Sequence, residues 1–85
     1  MKQKRKAHFW VSSTTDGSVL FDCKYPETEF TGSIRDFYEA AFEEGLKKAP
    51  EWVREAVKGR IRRVETFRTI MYADDLEIMC GDVCY

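Results

Sequence analysis

No stretch of the 85-residue sequence comes near the roughly 20 consecutive apolar residues that a membrane-spanning helix requires. The basic cluster Lys2, Lys4, Arg5 and Lys6 would suit the start of a signal peptide, but the apolar run behind it, Phe9-Trp10-Val11, stops at Ser12-Ser13-Thr14-Thr15-Asp16. A cytoplasmic chain with no membrane partner is therefore expected. Cysteine is scarce. Cys23, Cys80 and Cys84 cannot all pair within one chain and are too few for a disulfide scaffold, so reduced, buried thiols are expected. The sequence has no Gly-rich phosphate loop, no Gly-x-Ser-x-Gly elbow, and no His beside Glu43-Glu44 to make a zincin motif. An excess of one charge is missing as well: 14 basic residues face 15 acidic ones, for a net charge of -1. That balance gives no bulk attraction to nucleic acid or to a membrane.

What is present is enough to fold. Hydrophobic residues make up 44% of the chain and aromatics 14%, too apolar for disorder. The length suits a single domain over residues 1–85, with the basic residues 1–6 as a flexible N-terminal arm. A domain of this size buries only about 60–65% of its unfolded surface, so each ring in the core counts heavily.

Residues 7–26 suggest a β-hairpin turning at Asp16-Gly17, a pair that accepts a tight primed turn. A two-residue loop there predicts Trp10 opposite Cys23 and His8 opposite Tyr25. It places His8, Trp10, Val19, Phe21, Cys23 and Tyr25 on one face, and Phe9, Val11 and Leu20 with Asp22 and Lys24 on the other. Residues 26–32 suggest a loop. Ser33, with Asp36 three residues on, resembles a capping box that opens a helix. Ile34, Phe37, Tyr38, Ala41, Phe42 and Leu46 give that helix its apolar stripe. Pro50 ends it and starts a shorter helix carrying Trp52, Val53, Ala56 and Val57, which stops at Gly59. Phe37, Phe42, Leu46 and Trp52 are the expected helical side of the core. From Ile61 the period becomes two, predicting one long strand over 61–72 and its partner over 76–84. A two-residue loop would pair Ile70 with Met79, and a three-residue loop would pair Ile70 with Ile78. The predicted fold is α+β: a small four-stranded, mostly antiparallel sheet with the helices on one face, in the order ββααββ.

The sharpest motif is Tyr72-Ala73-Asp74-Asp75 between Thr69-Ile70-Met71 and Leu76-Glu77-Ile78. It resembles the catalytic hairpin of reverse transcriptases, a Tyr-x-Asp-Asp turn between two palm strands. The resemblance implies magnesium ligation by Asp74 and Asp75 in a two-metal phosphoryl transfer. It spans about eight residues. A palm also needs a further aspartate on a separate strand and fingers for template and primer, and Asp22 is the only other strand aspartate outside the final hairpin. Adjacent aspartates at a turn have a simpler cause in Asp's preference for turns and water. Three cysteines and His8 match the count of a Cys₃His zinc site, but Cys80 and Cys84 would stand roughly 13 Å apart on a strand. A nucleophilic pair of His8 with Cys23 or Cys80 lacks a third, orienting group. No metal or cofactor is expected, and no enzyme.

Charge patterning is more informative. Residues 54–68 hold six basic residues, Arg54, Lys58, Arg60, Arg62, Arg63 and Arg68, against two acidic; residues 69–85 hold four acidic and no basic. Such local fields steer charged partners. On one extended strand Arg60, Arg62 and Arg68 would share a face, and Arg63 the other. The expected function is a small non-enzymatic protein that binds another macromolecule as a stoichiometric inhibitor or adaptor, a profile shared by small proteins of phages and mobile elements. Its expected partner is a protein or ribonucleoprotein, contacted through Arg60, Arg62, Arg63, Arg68, Phe9, Val11, Asp74 and Asp75. The alternative is a nucleic-acid-binding module using residues 58–68; more remote is a metal-dependent phosphoryl-transfer fragment around Asp74-Asp75. A homodimer through an exposed sheet face is also compatible with the sequence.

Overall fold

The structure, a computed structural model, describes residues 3–81. Its elements are β1 (Gln3–Ser13), β2 (Val19–Phe30), α1 (Ile34–Lys48), α2 (Glu51–Val57), β3 (Arg63–Val64), β4 (Arg68–Ala73) and β5 (Leu76–Gly81). The fold is α+β, as the sequence suggested, but with five strands rather than four. They form one antiparallel sheet in the order β2-β1-β5-β4-β3. The central strand β5 joins the two hairpins, pairing with β1 on one side and β4 on the other.

The first hairpin departs from the expected register by one residue: Phe9, not Trp10, stands opposite Cys23. The loop is longer than Asp16-Gly17. Ser13 N–H donates to Ser18 O at 2.9 Å, and the Asp16 carboxylate accepts from the Ser18 amide at 3.0 Å and hydroxyl at 2.7 Å. Gly17 supplies a positive φ of 76°. An extra residue, Leu20, then bulges between the pairs Val11↔Phe21 and Ser12↔Val19. The shift puts Phe21, Cys23 and Tyr25 on the same face as Ala7, Phe9 and Val11, so large apolar groups are no longer divided between faces. That gain in one-sided burial is the physical reason the shifted register wins.

Three further expectations are corrected. Residues 3–6 belong to β1 and are not an arm, because Gln3, Lys4 and Arg5 pair with Phe30, Glu29 and Thr28. The expected loop at 26–32 is strand as far as Phe30, after a second bulge between Tyr25 and Thr28. The Phe30 ring packs on Phe37 at 4.7 Å, which anchors this extension. Finally, 61–72 is not one strand. Glu65 breaks it: its carboxylate accepts from Arg68 Nε at 2.6 Å, its N–H donates to Arg68 O at 2.8 Å, and β3 folds back on β4 through Arg63↔Ile70 and Val64↔Thr69. The last hairpin takes the two-residue loop, with Ile70 opposite Met79 and Asp74 at φ 56°. The part of the expected final strand beyond Gly81, with Cys84, lies outside the described residues.

Helix α1 forms as its caps dictate. Ser33 Oγ accepts from Asp36 N–H at 3.1 Å, closing the start of α1. At the other end the Arg54 guanidinium donates to the carbonyls of Leu46 (2.9 Å), Lys47 (3.3 Å) and Ala49 (2.5 Å), groups a helix C-terminus leaves without partners. Arg54 therefore serves the fold rather than a surface patch. Both helices cover the same face of the sheet: Phe37, Tyr38, Phe42, Leu46 and Val53 pack with Phe9, Val11, Met71, Ile78 and Cys80. Trp52 is not in that core. It is 46% exposed, and Val53, next to it on the short helix, takes the inward position instead. Among the described residues no helix is long and apolar enough to cross a membrane.

Candidate functional site

The structure relocates the expected contact residues. Phe9 and Val11 are core residues, 1% and 0% exposed, so the expectation that they meet a partner is corrected by the register shift that turned them inward. Each of the four arginines expected to contact a partner meets a carboxylate. Arg60 lies 2.9 Å from Asp74, Arg63 is 3.1 Å and Arg68 2.6 Å from Glu65, and Arg62 pairs with Glu43. Arg62 also lies over the Phe42 ring, its guanidinium carbon 4.9 Å from the centroid, on the helix side of the sheet. The break at Glu65 resets the alternation. Arg63 and Arg68 share a face, and Arg62 points to the other.

Asp74 and Asp75 form the tip of the β4–β5 turn. Asp74 is held by Arg60, and the Asp75 carbonyl accepts from the Thr14 N–H at 2.8 Å and hydroxyl at 3.0 Å, which ties the tips of the two hairpins together. Asp22 does not join them. It stands on edge strand β2, across β1 from β5, 3.2 Å from His8 Nε2. Among the described residues no three of His, Cys, Asp and Glu gather around a point that could hold a metal ion. Cys23 and Cys80 both flank Phe9, one from each neighbouring strand. That places them about two strand spacings, ~9.6 Å, apart, beyond the reach of a disulfide. Burial pushes the Cys80 thiol up to about 12 and raises that of Cys23, so both stay protonated at neutral pH and are poor nucleophiles. The depression lined by Phe9, Cys23, Tyr25, Gly45 and Lys48 has no internal space for even a water molecule.

Sequence reasoning allowed an exposed sheet face but missed its make-up: neither helix covers the face opposite the core. Strand pairing arranges it in rows. The middle row runs Asp22, Trp10, Met79, Ile70, Arg63 across all five strands. One flanking row holds Val19, Ser12, Glu77 and Tyr72; the other holds Lys24, His8, Gly81 and Arg68. Trp10 packs on His8, with ring centroids 5.2 Å apart, and Tyr72 is 54% exposed. Ile70 is buried although it stands outside the core cluster. The face thus has an aromatic and thioether centre inside a charged rim, with Asp22 and Lys24 on one side and Arg63 and Arg68 on the other. The signal for it was in β1, where Phe9 and Val11 alternate with His8 and Trp10. The stronger apolar set goes inward, and the amphipathic rings are left outside.

Comparison with protein families, with curated proteins and with solved structures returns no match.

Proposed function

We propose that this protein is a non-enzymatic binding protein, an inhibitor or adaptor of the kind small phage and mobile-element proteins provide, that engages a protein partner through the helix-free face of its sheet. The observation that carries this reading is the row Asp22, Trp10, Met79, Ile70, Arg63 with Tyr72 beside it. Trp, Tyr, Met and Arg are the residues enriched at protein interfaces, and anchors of this kind cluster at the centre of a patch while charges form its rim. The nucleic-acid reading is weaker. Phosphates would have to displace carboxylates from Arg60, Arg62, Arg63 and Arg68, and Glu77 lies on the same face.

The test compares the wild type with Trp10→Ala/Tyr72→Ala in capture from the source cells, alongside gel shifts with single- and double-stranded DNA and RNA at about 0.15 M salt. A protein captured by the wild type and lost by the folded double variant supports the reading. Undiminished capture by the variant overturns it. So does micromolar nucleic-acid binding that Arg63→Ala/Arg68→Ala abolishes.

A further inference from the structure

We propose that the helix-free face docks a second copy of this chain, the two copies related by a two-fold axis that runs along β5. This rests on the reading of that face as the binding surface; the second copy occupies it when the protein partner is absent. The two outer columns of the face carry complementary patterns. On the β2 side the rows end in Val19, Asp22 and Lys24: apolar, negative, positive. On the β3 side the middle row ends in Arg63, opposite Ile70. The β3–β4 register continues one step to Glu65 beside Arg68, where Glu65 N–H bonds Arg68 O at 2.8 Å. The second column therefore holds Arg63 and Glu65: positive, negative.

A two-fold axis along the central strand lays the β2 column of one copy over the β3 column of the other. Asp22 then meets Arg63, and Lys24 meets Glu65, each pair occurring twice. Within these columns Trp10 faces the row position of Ile70, which its own chain already buries, and Met79 meets its own mate on the axis. Such an interface is isologous and self-complementary, as two-fold symmetry demands. The facing β5 strands stay within the roughly 30° that aligned sheets allow. Asp22 and Arg63 are well exposed, 57% and 65% by side chain, and can exchange their present contacts with His8 and Glu65 for the partner's charges. The unfavourable element is Glu77, which the axis brings face to face with its copy. The face measures about 24 Å by 20 Å from strand and row spacings. That is roughly half of the ~800 Å² per partner of a standard interface, so the dimer is weak, with a dissociation constant of tens of micromolar.

Sedimentation equilibrium over a concentration series tests this on the whole chain. The wild type is expected to dimerise in the tens of micromolar. Arg63→Asp weakens the dimer about tenfold, and Asp22→Arg/Arg63→Asp restores it to within about threefold, because the swap rebuilds both pairs. Glu77→Gln tightens it severalfold by removing the like charges on the axis, an effect a different partner surface would not share. Asp22→Arg alone breaks the same pairs from the other side and replaces Arg63→Asp if that variant melts early. A wild type that is monomeric at about 1 mM overturns the proposal, as does a dimer indifferent to both reversals. Either result leaves the capture test of Trp10 and Tyr72 standing, so the two readings fail separately.

Discussion

Gly45 opens the last turn of α1, where alanine would ordinarily be the better helix former by at most about 1 kcal/mol. Here the sign is expected to reverse. A Cβ on Gly45 would lie 2.8 Å from Phe9 Cβ and closer still to the ring carbons Cγ and Cδ2. The Phe9 ring has little room to retreat. It is 1% exposed and held edge-on by Phe42, with centroids 5.5 Å apart, and by Phe21 at 6.1 Å. Overpacking a core costs about 1–3 kcal/mol, and expelling a buried phenyl ring about 3–5 kcal/mol. After the helix-propensity gain, Gly45→Ala should destabilise the protein by about 2–3 kcal/mol. A chain of this length has about 4–13 kcal/mol in all. The melting temperature should therefore fall by about 10–20 °C, with a parallel drop in the urea midpoint. Adding Phe9→Leu should recover part of the loss, since a shorter side chain vacates the space, and the non-additivity is readable in a double-mutant cycle. A Gly45→Ala protein as stable as the wild type, or more so, would refute the packing of α1 on β1.

The other expectations concern polar groups. Arg54→Met should cost about 1–2 kcal/mol in urea unfolding, because the last carbonyls of α1 lose their donor while Val53 stays in the core. Thr69→Val should raise the melting temperature by the equivalent of about 1 kcal/mol, since the Thr69 hydroxyl is fully buried and has no hydrogen-bond partner among the described residues. The hydrogen bond from Arg68, helped by the nearby Arg63 charge, holds the Glu65 carboxyl below its ordinary value of 4.5. A depressed carboxylate contributes stability that is present above its unfolded pKa and lost as pH falls through the folded one. The wild type should therefore lose more stability than Glu65→Gln as pH is lowered from 7 to below 4.5, and equal acid sensitivity in urea titrations would count against the clasp.

Where the sequence was informative, short-range rules were at work. Ser33 and Asp36 marked the start of α1, Pro50 and Gly59 bounded α2, and the spacing of Phe37, Phe42 and Leu46 marked the buried stripe. Where it misled, the decision was made by distant contacts. The hairpin turn at Asp16-Gly17 allowed several loop lengths, and only the core beneath α1 could choose the register that buries Phe9 with Phe21. The period of two over 61–72 was real on both sides of Glu65, but two arginines closing on one carboxylate created a turn that propensity alone does not announce. The candidate site fared worst for the same reason. Arg60, Arg62, Arg63 and Arg68 looked like a patch in one dimension and proved to be four ion pairs in three.

The strand order has a kinetic consequence. The first hairpin, β1 with β2, closes over a short loop, but its inner edge is completed only by β5, through pairs such as His8↔Gly81 and Val11↔Ile78. These contacts span most of the described chain, so their loop-closure entropy must be met before the sheet can zip. During synthesis the early hairpin and α1 therefore wait, with Phe9, Val11 and Phe42 only partly covered, until the central strand has left the ribosome. The polypeptide is exposed to aggregation longest just before the insertion that ends the risk. Ending the chain between β4 and β5 would remove the middle of the sheet and leave the β1–β2 and β3–β4 pairs with no shared neighbour.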